Sequence, residues 1–153
     1  MLLTDQIAQV FDALIFKRGF SKDIIKITNV IYELLYSKDN IHVLIDVEEM
    51  ESYFYFKIKL DLEQQYLFSD VPCLNEEFNE YKKTAYFKSI FDFTNGAINE
   101  KDFKIQKSNL YKKSRSPFIG KKSLDSLIYL YKELLESSLD NIIKFEKELN
   151  SSN

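Results

Sequence analysis

The chain contains one histidine, His42, and one cysteine, Cys73. With the carboxylates and lysines around them, these are the stock from which acid–base, nucleophilic or metal chemistry would have to be built. General acid–base catalysis needs a titratable group within hydrogen-bond reach of a substrate in an enclosed site. A zinc site needs three or four ligands. His42 lies in the run IHVLIDV, where strand alternation sets it on the same side as Asp46. An open sheet face encloses nothing, so His42 reads as a polar residue facing solvent or a partner. Cys73 follows Pro72 without a nucleophile signature, and a free cysteine is more often a small buried hydrophobe. We therefore expect no catalytic set, no metal site, no cofactor and no enzymatic activity; the alternative is a small enzyme whose pocket the sequence does not disclose.

The second candidate is a charge run. Residues 101–122 carry Lys101, Lys104, Lys107, Lys112, Lys113, Arg115, Lys121 and Lys122 against Asp102 alone, with Phe103, Tyr111 and Phe118 interleaved. The segment stands at +7 in a chain of net charge −3, which leaves −10 elsewhere. Lysines with rings suit either an acidic protein partner or nucleic acid, with Lys112, Lys113, Arg115, Lys121 and Lys122 as the anion contacts. An acidic remainder repels a polyanion, so nucleic acid ranks behind a protein. Lysine also outnumbers arginine 19 to 2, which weakens a case for bidentate phosphate recognition. The bland reading is a solvated loop that balances an acidic body. Gly120-Lys121-Lys122-Ser123 looks like a phosphate loop only superficially. Arg115 holds the earlier glycine position and Lys122 separates the lysine from the serine. Nucleotide hydrolysis is excluded on that pattern.

The elements that must position these groups centre on Val30 to Leu60. VIYELLY, IHVLIDV and YFYFKIKL are apolar runs divided by SKDN and EEMES, the pattern of an antiparallel meander. Ile24 to Tyr36 also suits a helix, but a parity argument favours a strand from about Val30. With Tyr36 opposite Ile41 and Ile45 opposite Phe54, the three runs place Val30, Tyr32, Leu34, Tyr36, Ile41, Val43, Ile45, Val47, Phe54, Phe56, Ile58 and Leu60 on one face. A one-residue slip would turn a run over. The opposite face then carries Glu33, His42, Asp46, Tyr53, Tyr55 and Lys57 among Leu35 and Leu44. A tyrosine-bearing amphipathic surface of this kind suits partner binding.

Around the sheet, Ile7, Val10, Phe11, Leu14 and Ile15 predict a helix from Asp5 to about Lys17, capped by Thr4 and ended by Gly19. Asn75-Glu76-Glu77 marks the start of a middle helix, although its tail YFKSIFDF also suits a strand. Residues 98–122 show no strong period and hide at most a short strand such as DFKIQ. From Ser123 as cap, a broad stripe through Leu149 predicts a helix about 40 Å long. Leu124, Ile128, Tyr131, Leu135, Ser138, Ile142, Phe145 and Leu149 are spaced like a heptad seam, so the helix either packs on the sheet or also serves a homodimer.

The 153 residues fit one α+β domain over 1–149, with 150–153 frayed. Its expected order is an N-terminal helix, a three- to four-stranded antiparallel meander, a helical middle segment and a long C-terminal helix on one sheet face. The N-terminus carries no basic leader, no run reaches eighteen apolar residues, and one cysteine excludes an internal disulfide. These features exclude a membrane span and fit the cytoplasm. The amphipathic helix ending at Gly19-Phe20, the strand around Tyr32, the meander and the leucine-rich final helix together resemble small bacterial α+β proteins, some of them toxin-immunity proteins. That resemblance implies a non-enzymatic module that binds and neutralises a protein.

Overall fold

The computed structural model describes residues 2–50, 52–62, 66–69, 76–112 and 124–151. They fall into two compact units, residues 1–70 and 71–153. The architecture is α+β, with an N-terminal helix, a five-stranded antiparallel sheet, further helices and a long C-terminal helix.

In the first unit, helix α1 (Leu3–Phe16) buries Ile7, Phe11, Leu14 and Ile15 of the stripe read from sequence, together with Leu3 and Ala8, while Val10 is only half-buried. The helix begins earlier than expected, and Thr4 is not its cap. The side chain of Glu49 caps it from a distant turn. The N–H groups of Leu3 and Thr4 donate to the two carboxylate oxygens at 2.9 and 2.8 Å, and the Thr4 hydroxyl donates at 2.9 Å. A carboxylate at a helix N-terminus satisfies orphan amides and opposes the positive end of the dipole. At the other end Gly19 turns the chain at φ 88°, and the Lys38 ammonium donates to the Arg18 carbonyl at 2.6 Å.

The sheet is a plain meander of β1 (Ser21–Lys26), β2 (Ile31–Lys38), β3 (Ile41–Glu48), β4 (Tyr53–Leu60) and β5 (Tyr66–Ser69). The sheet has one strand more than the upper expected count of four, and β1 and β5 are the strands that the three apolar runs did not supply. The pairs named from sequence are each wrong by two residues. Tyr36 faces Val43 rather than Ile41, and Ile45 faces Phe56 rather than Phe54. The first hairpin turns on Asp39-Asn40 alone, with Asp39 at φ 52°, so the strands run on through Ser37 and Lys38. Asp tolerates this left-handed conformation better than most residues. The second hairpin is longer, since its last pair is Glu48 with Tyr53.

An even slip preserves parity. Leu34, Tyr36, Ile41, Val43, Ile45, Val47, Phe54, Phe56, Ile58 and Leu60 share one face and are all buried, joined by Phe68 of β5. Helix α1 packs on that side of β2. Its Asp12 accepts from the Tyr36 hydroxyl at 2.6 Å and pairs with Lys22 of β1 at 2.8 Å, while the Phe16 ring meets Tyr36 edge-on at 6.1 Å.

The second unit is helical. Helix α2 (Glu76–Thr94) remains helical through YFKSIFDF, and α3 (Glu100–Lys112) occupies the segment expected to be loop or a DFKIQ strand. Asn99 caps α3 by accepting from the Asp102 N–H at 2.8 Å, with Glu100 and Asp102 in the acidic first turn. Helix α4 (Leu124–Ser151) carries the predicted stripe and stays helical past Leu149. The units of this bundle interlock through rings: Phe93 stacks on Phe103 at 4.9 Å and meets Phe145 at 5.2 Å, while Phe87 meets Tyr131 edge-on. Ile128, Tyr131, Leu135, Ser138 and Ile142 are buried within the single chain. A homodimer seam along that stripe would have to displace the chain's own neighbours. Among the described residues, no helix is long and apolar enough to cross a membrane.

Candidate functional site

Parity places the polar candidates on the outer face of the sheet, and the register sorts them into rows. Ile25, Glu33, Asp46 and Tyr55 form one row across β1 to β4. Asp23, Leu35, Leu44, Lys57 and Ser69 form the next, and Ser21, Ser37, His42, Lys59 and Leu67 the one beyond. The backbone of Tyr53 pairs with Glu48, and its side chain lies outside the described residues. In place of one cluster of six residues, the face has two separate polar groups.

The first is a carboxyl pair. Glu33 and Asp46 face each other on neighbouring strands, where like charges repel. The Glu33 carboxyl is pushed up from its ordinary 4.5 to about 7, first by burial, then by its hydrogen bond to Asp46 and by the charge there. Lys57 opposes these effects from the adjacent row. The Asp46 Oδ1 atom is buried with no hydrogen-bond donor. A proton retained on Glu33 supplies a donor to Asp46, and the raised Glu33 value keeps that proton in place below about pH 7. Tyr55, the next residue in the row, is 55% exposed.

The second group surrounds His42, and sequence reasoning missed it. Ser37 Oγ lies 2.9 Å from His42 Nδ1, and His42 Nε2 lies 2.9 Å from Asp61 Oδ2. Lys59 reaches the other Asp61 oxygen at 3.2 Å. With Nε2–H directed at Asp61, Nδ1 accepts from the serine hydroxyl. The expected pairing of Ile45 with Phe54 would set Lys57 beside His42, with Asp46 on the same face of its own strand. Asp46 lies four residues away, about 13 Å along the strand, and Lys57 faces Leu44 instead. The two-residue slip in register hid both groups, because it misplaced the partners of Glu33 and of His42 alike.

The basic segment divides. Lys101, Lys104, Lys107 and Lys112 lie on α3, whereas Lys113, Arg115, Lys121 and Lys122 lie outside the described residues, as do Cys73 and Gly120 to Ser123. Lys104 pairs with Glu100 at 3.1 Å. Lys107 sits over the Tyr86 ring at 5.7 Å, and burial lowers its ammonium pKa. A shallow open hollow of about 510 Å³ lies along Glu100, Lys101, Lys104, Ile105 and Ser108. Among the described residues, no three His, Cys, Asp or Glu side chains come together as metal ligands.

The fold and this face define an α+β chain with a mixed polar and apolar sheet surface. Compared with known proteins, the chain matches no family model, no curated protein and no solved structure.

Proposed function

We propose that the chain is a non-enzymatic protein-binding module of the immunity or inhibitor type, which neutralises a partner protein in the cytoplasm by docking it on the outer sheet face. The observation that carries this reading is the exposure of large apolar side chains there. Tyr55 is 55%, Leu67 50% and Ile25 41% exposed, set among Glu33, Asp46, Lys57 and Lys59. A tyrosine flanked by aliphatic and charged groups fits the composition of a protein interface.

The Ser37–His42–Asp61 chain has the chemical order of a nucleophilic triad, but acyl transfer also needs amide donors turned toward a developing oxyanion. Ser37 lies on an interior strand, paired with Ser21 on one side and His42 on the other. Ladder bonding commits the amides around it, which favours a positioning role for the hydroxyl. The nucleic-acid reading is weakened because Lys104 and Lys107 already have intramolecular partners. The test is affinity capture from native lysate with wild type and with a Tyr55→Ala/Leu67→Ala variant as baits. The reading requires a stoichiometric protein on wild type that the variant loses. It fails if nothing stoichiometric is retained, or if both baits retain the same protein.

A further inference from the structure

Among the described residues the end of the sheet at β1 is open, and most of its side chains are exposed. Among the described residues no strand pairs with the far side of β1. Five of its six residues are exposed, and Ile24, Ile25 and the following Ile27 are 53%, 41% and 52% exposed. Natural edge strands are blunted by charged side chains, prolines or bulges; this one carries Lys22 and Lys26 but no proline, and it presents an isoleucine to each side of the sheet. The hydrogen-bond phase of the edge follows from the ladder. The Ile27 N–H donates to the Ile31 carbonyl at 2.9 Å, so alternation commits Ile25, Asp23 and Ser21 to β2. The backbone groups of Lys22, Ile24 and Lys26 therefore face outward.

Charge decides what can pair there. Two copies joined antiparallel about Ile24 would set Lys22 against Lys26. Joined about Asp23, they would set the two aspartates against each other. Joined about Ile25, Asp23 would face Ile27 and Lys26 would face Ile24, leaving both charges opposite isoleucine. Two of these registers for a second copy set like charges directly opposite, which destabilises a pair, and the third leaves Asp23 and Lys26 without an opposite charge. Lys22 is already held by Asp12 at 2.8 Å, so Lys26 and Asp23 are the charges left to read a partner.

We propose that the open edge of β1 receives an extended segment of a partner protein as a sixth, antiparallel strand, whose sequence runs acid–apolar–apolar–base opposite Lys26, Ile25, Ile24 and Asp23. Main-chain bonds to Lys22, Ile24 and Lys26 hold it, and the flanking charges select its direction. The inference rests on the protein-binding reading and adds the mode of capture.

The test is a titration of the ¹⁵N-labelled full chain with two peptides, Thr-Glu-Val-Ile-Lys-Thr and its charge-exchanged form Thr-Lys-Val-Ile-Glu-Thr, both capped. The first should shift the Lys22 to Ile27 amides and bind about fivefold more tightly than the second, as two cross-strand charge pairs allow. The Ile24→Pro variant should lose binding while keeping the β2 ladder, because its amide faces outward. The charge exchange Asp23→Lys/Lys26→Asp should reverse the preference, and this readout holds even if the proline variant does not fold. Equal binding of both peptides, binding elsewhere or no binding overturns the edge proposal. A concentration-dependent dimer of wild type lost in Ile24→Pro overturns the choice of partner in favour of a second copy. Loss of lysate capture in Tyr55→Ala/Leu67→Ala with no peptide binding would retain the face and remove the edge.

Discussion

Replacing Glu33 with glutamine tests the carboxyl pair at the centre of the outer face. Glu33 faces Asp46 across β2 and β3, and its carboxyl titrates near 7 instead of 4.5. Between those values the folded chain holds a proton that the unfolded chain releases. Folding stability is therefore fullest at and below about pH 4.5 and declines as pH rises through 7. In an enclosed site that interval would correspond to about 3 kcal/mol. The face is open to water and Lys57 offsets part of the repulsion, so we expect about 1 kcal/mol. Glu33→Gln removes the charge and supplies an amide donor to the Asp46 carboxylate. The variant should be more stable than wild type by about 1 kcal/mol at pH 8, a rise of about 2–4 °C in Tm. At pH 4.5 the two should unfold alike. Urea unfolding at both pH values decides the matter, supported by an NMR titration of the Glu33 side chain. A gain of equal size at both pH values, or none at pH 8, would refute the retained-proton account.

The remaining predictions concern stability. Glu49→Ala should cost about 1–2 kcal/mol by uncapping α1, measured by urea unfolding, and hydrogen exchange should speed first at Leu3 and Thr4. Leu135→Ala deletes a fully buried side chain of α4 and should cost about 2–5 kcal/mol by the same measurement. Gly19→Ala should cost about 1 kcal/mol, because the residue sits at φ 88° and its new Cβ would lie 3.5 Å from Lys38 Nζ. If residues 1–149 unfold as one domain, calorimetry gives a single transition; two separable peaks would divide the chain at the 70/71 boundary.

The inner face was legible because burial imposes a period of two on Leu34 and Tyr36, on Ile41 to Val47 and on Phe54 to Leu60. The register was not, since parity is blind to an even slip. The first hairpin keeps Ser37 and Lys38 in the strand, while the second adds Glu48 to β3, opposite Tyr53. The Glu33–Asp46 and Ser37–His42–Asp61 groups depend on register, and so escaped the sequence. Strand β1 escaped for a different reason: an exposed edge buries little, so SKDIIK shows no alternation. Helix α3 buries Phe103 and Leu110, seven residues apart, too sparse a stripe to stand out among its lysines. Its cap was nevertheless written in the sequence, as Asn99 before Glu100 and Asp102.

The carboxylate that starts α1 belongs to a turn 45 and 46 residues further along the chain. A local cap is available as soon as a helix nucleates, whereas this one exists only after β3 has reached its turn and folded back toward β2. Helix α1 should therefore gain its first turn late in folding, after the hairpin that supplies the cap, although it precedes that hairpin in the chain. The same dependence makes the turn after β3 a latch. Cleavage or insertion beside Glu49 would loosen the beginning of the chain without touching it.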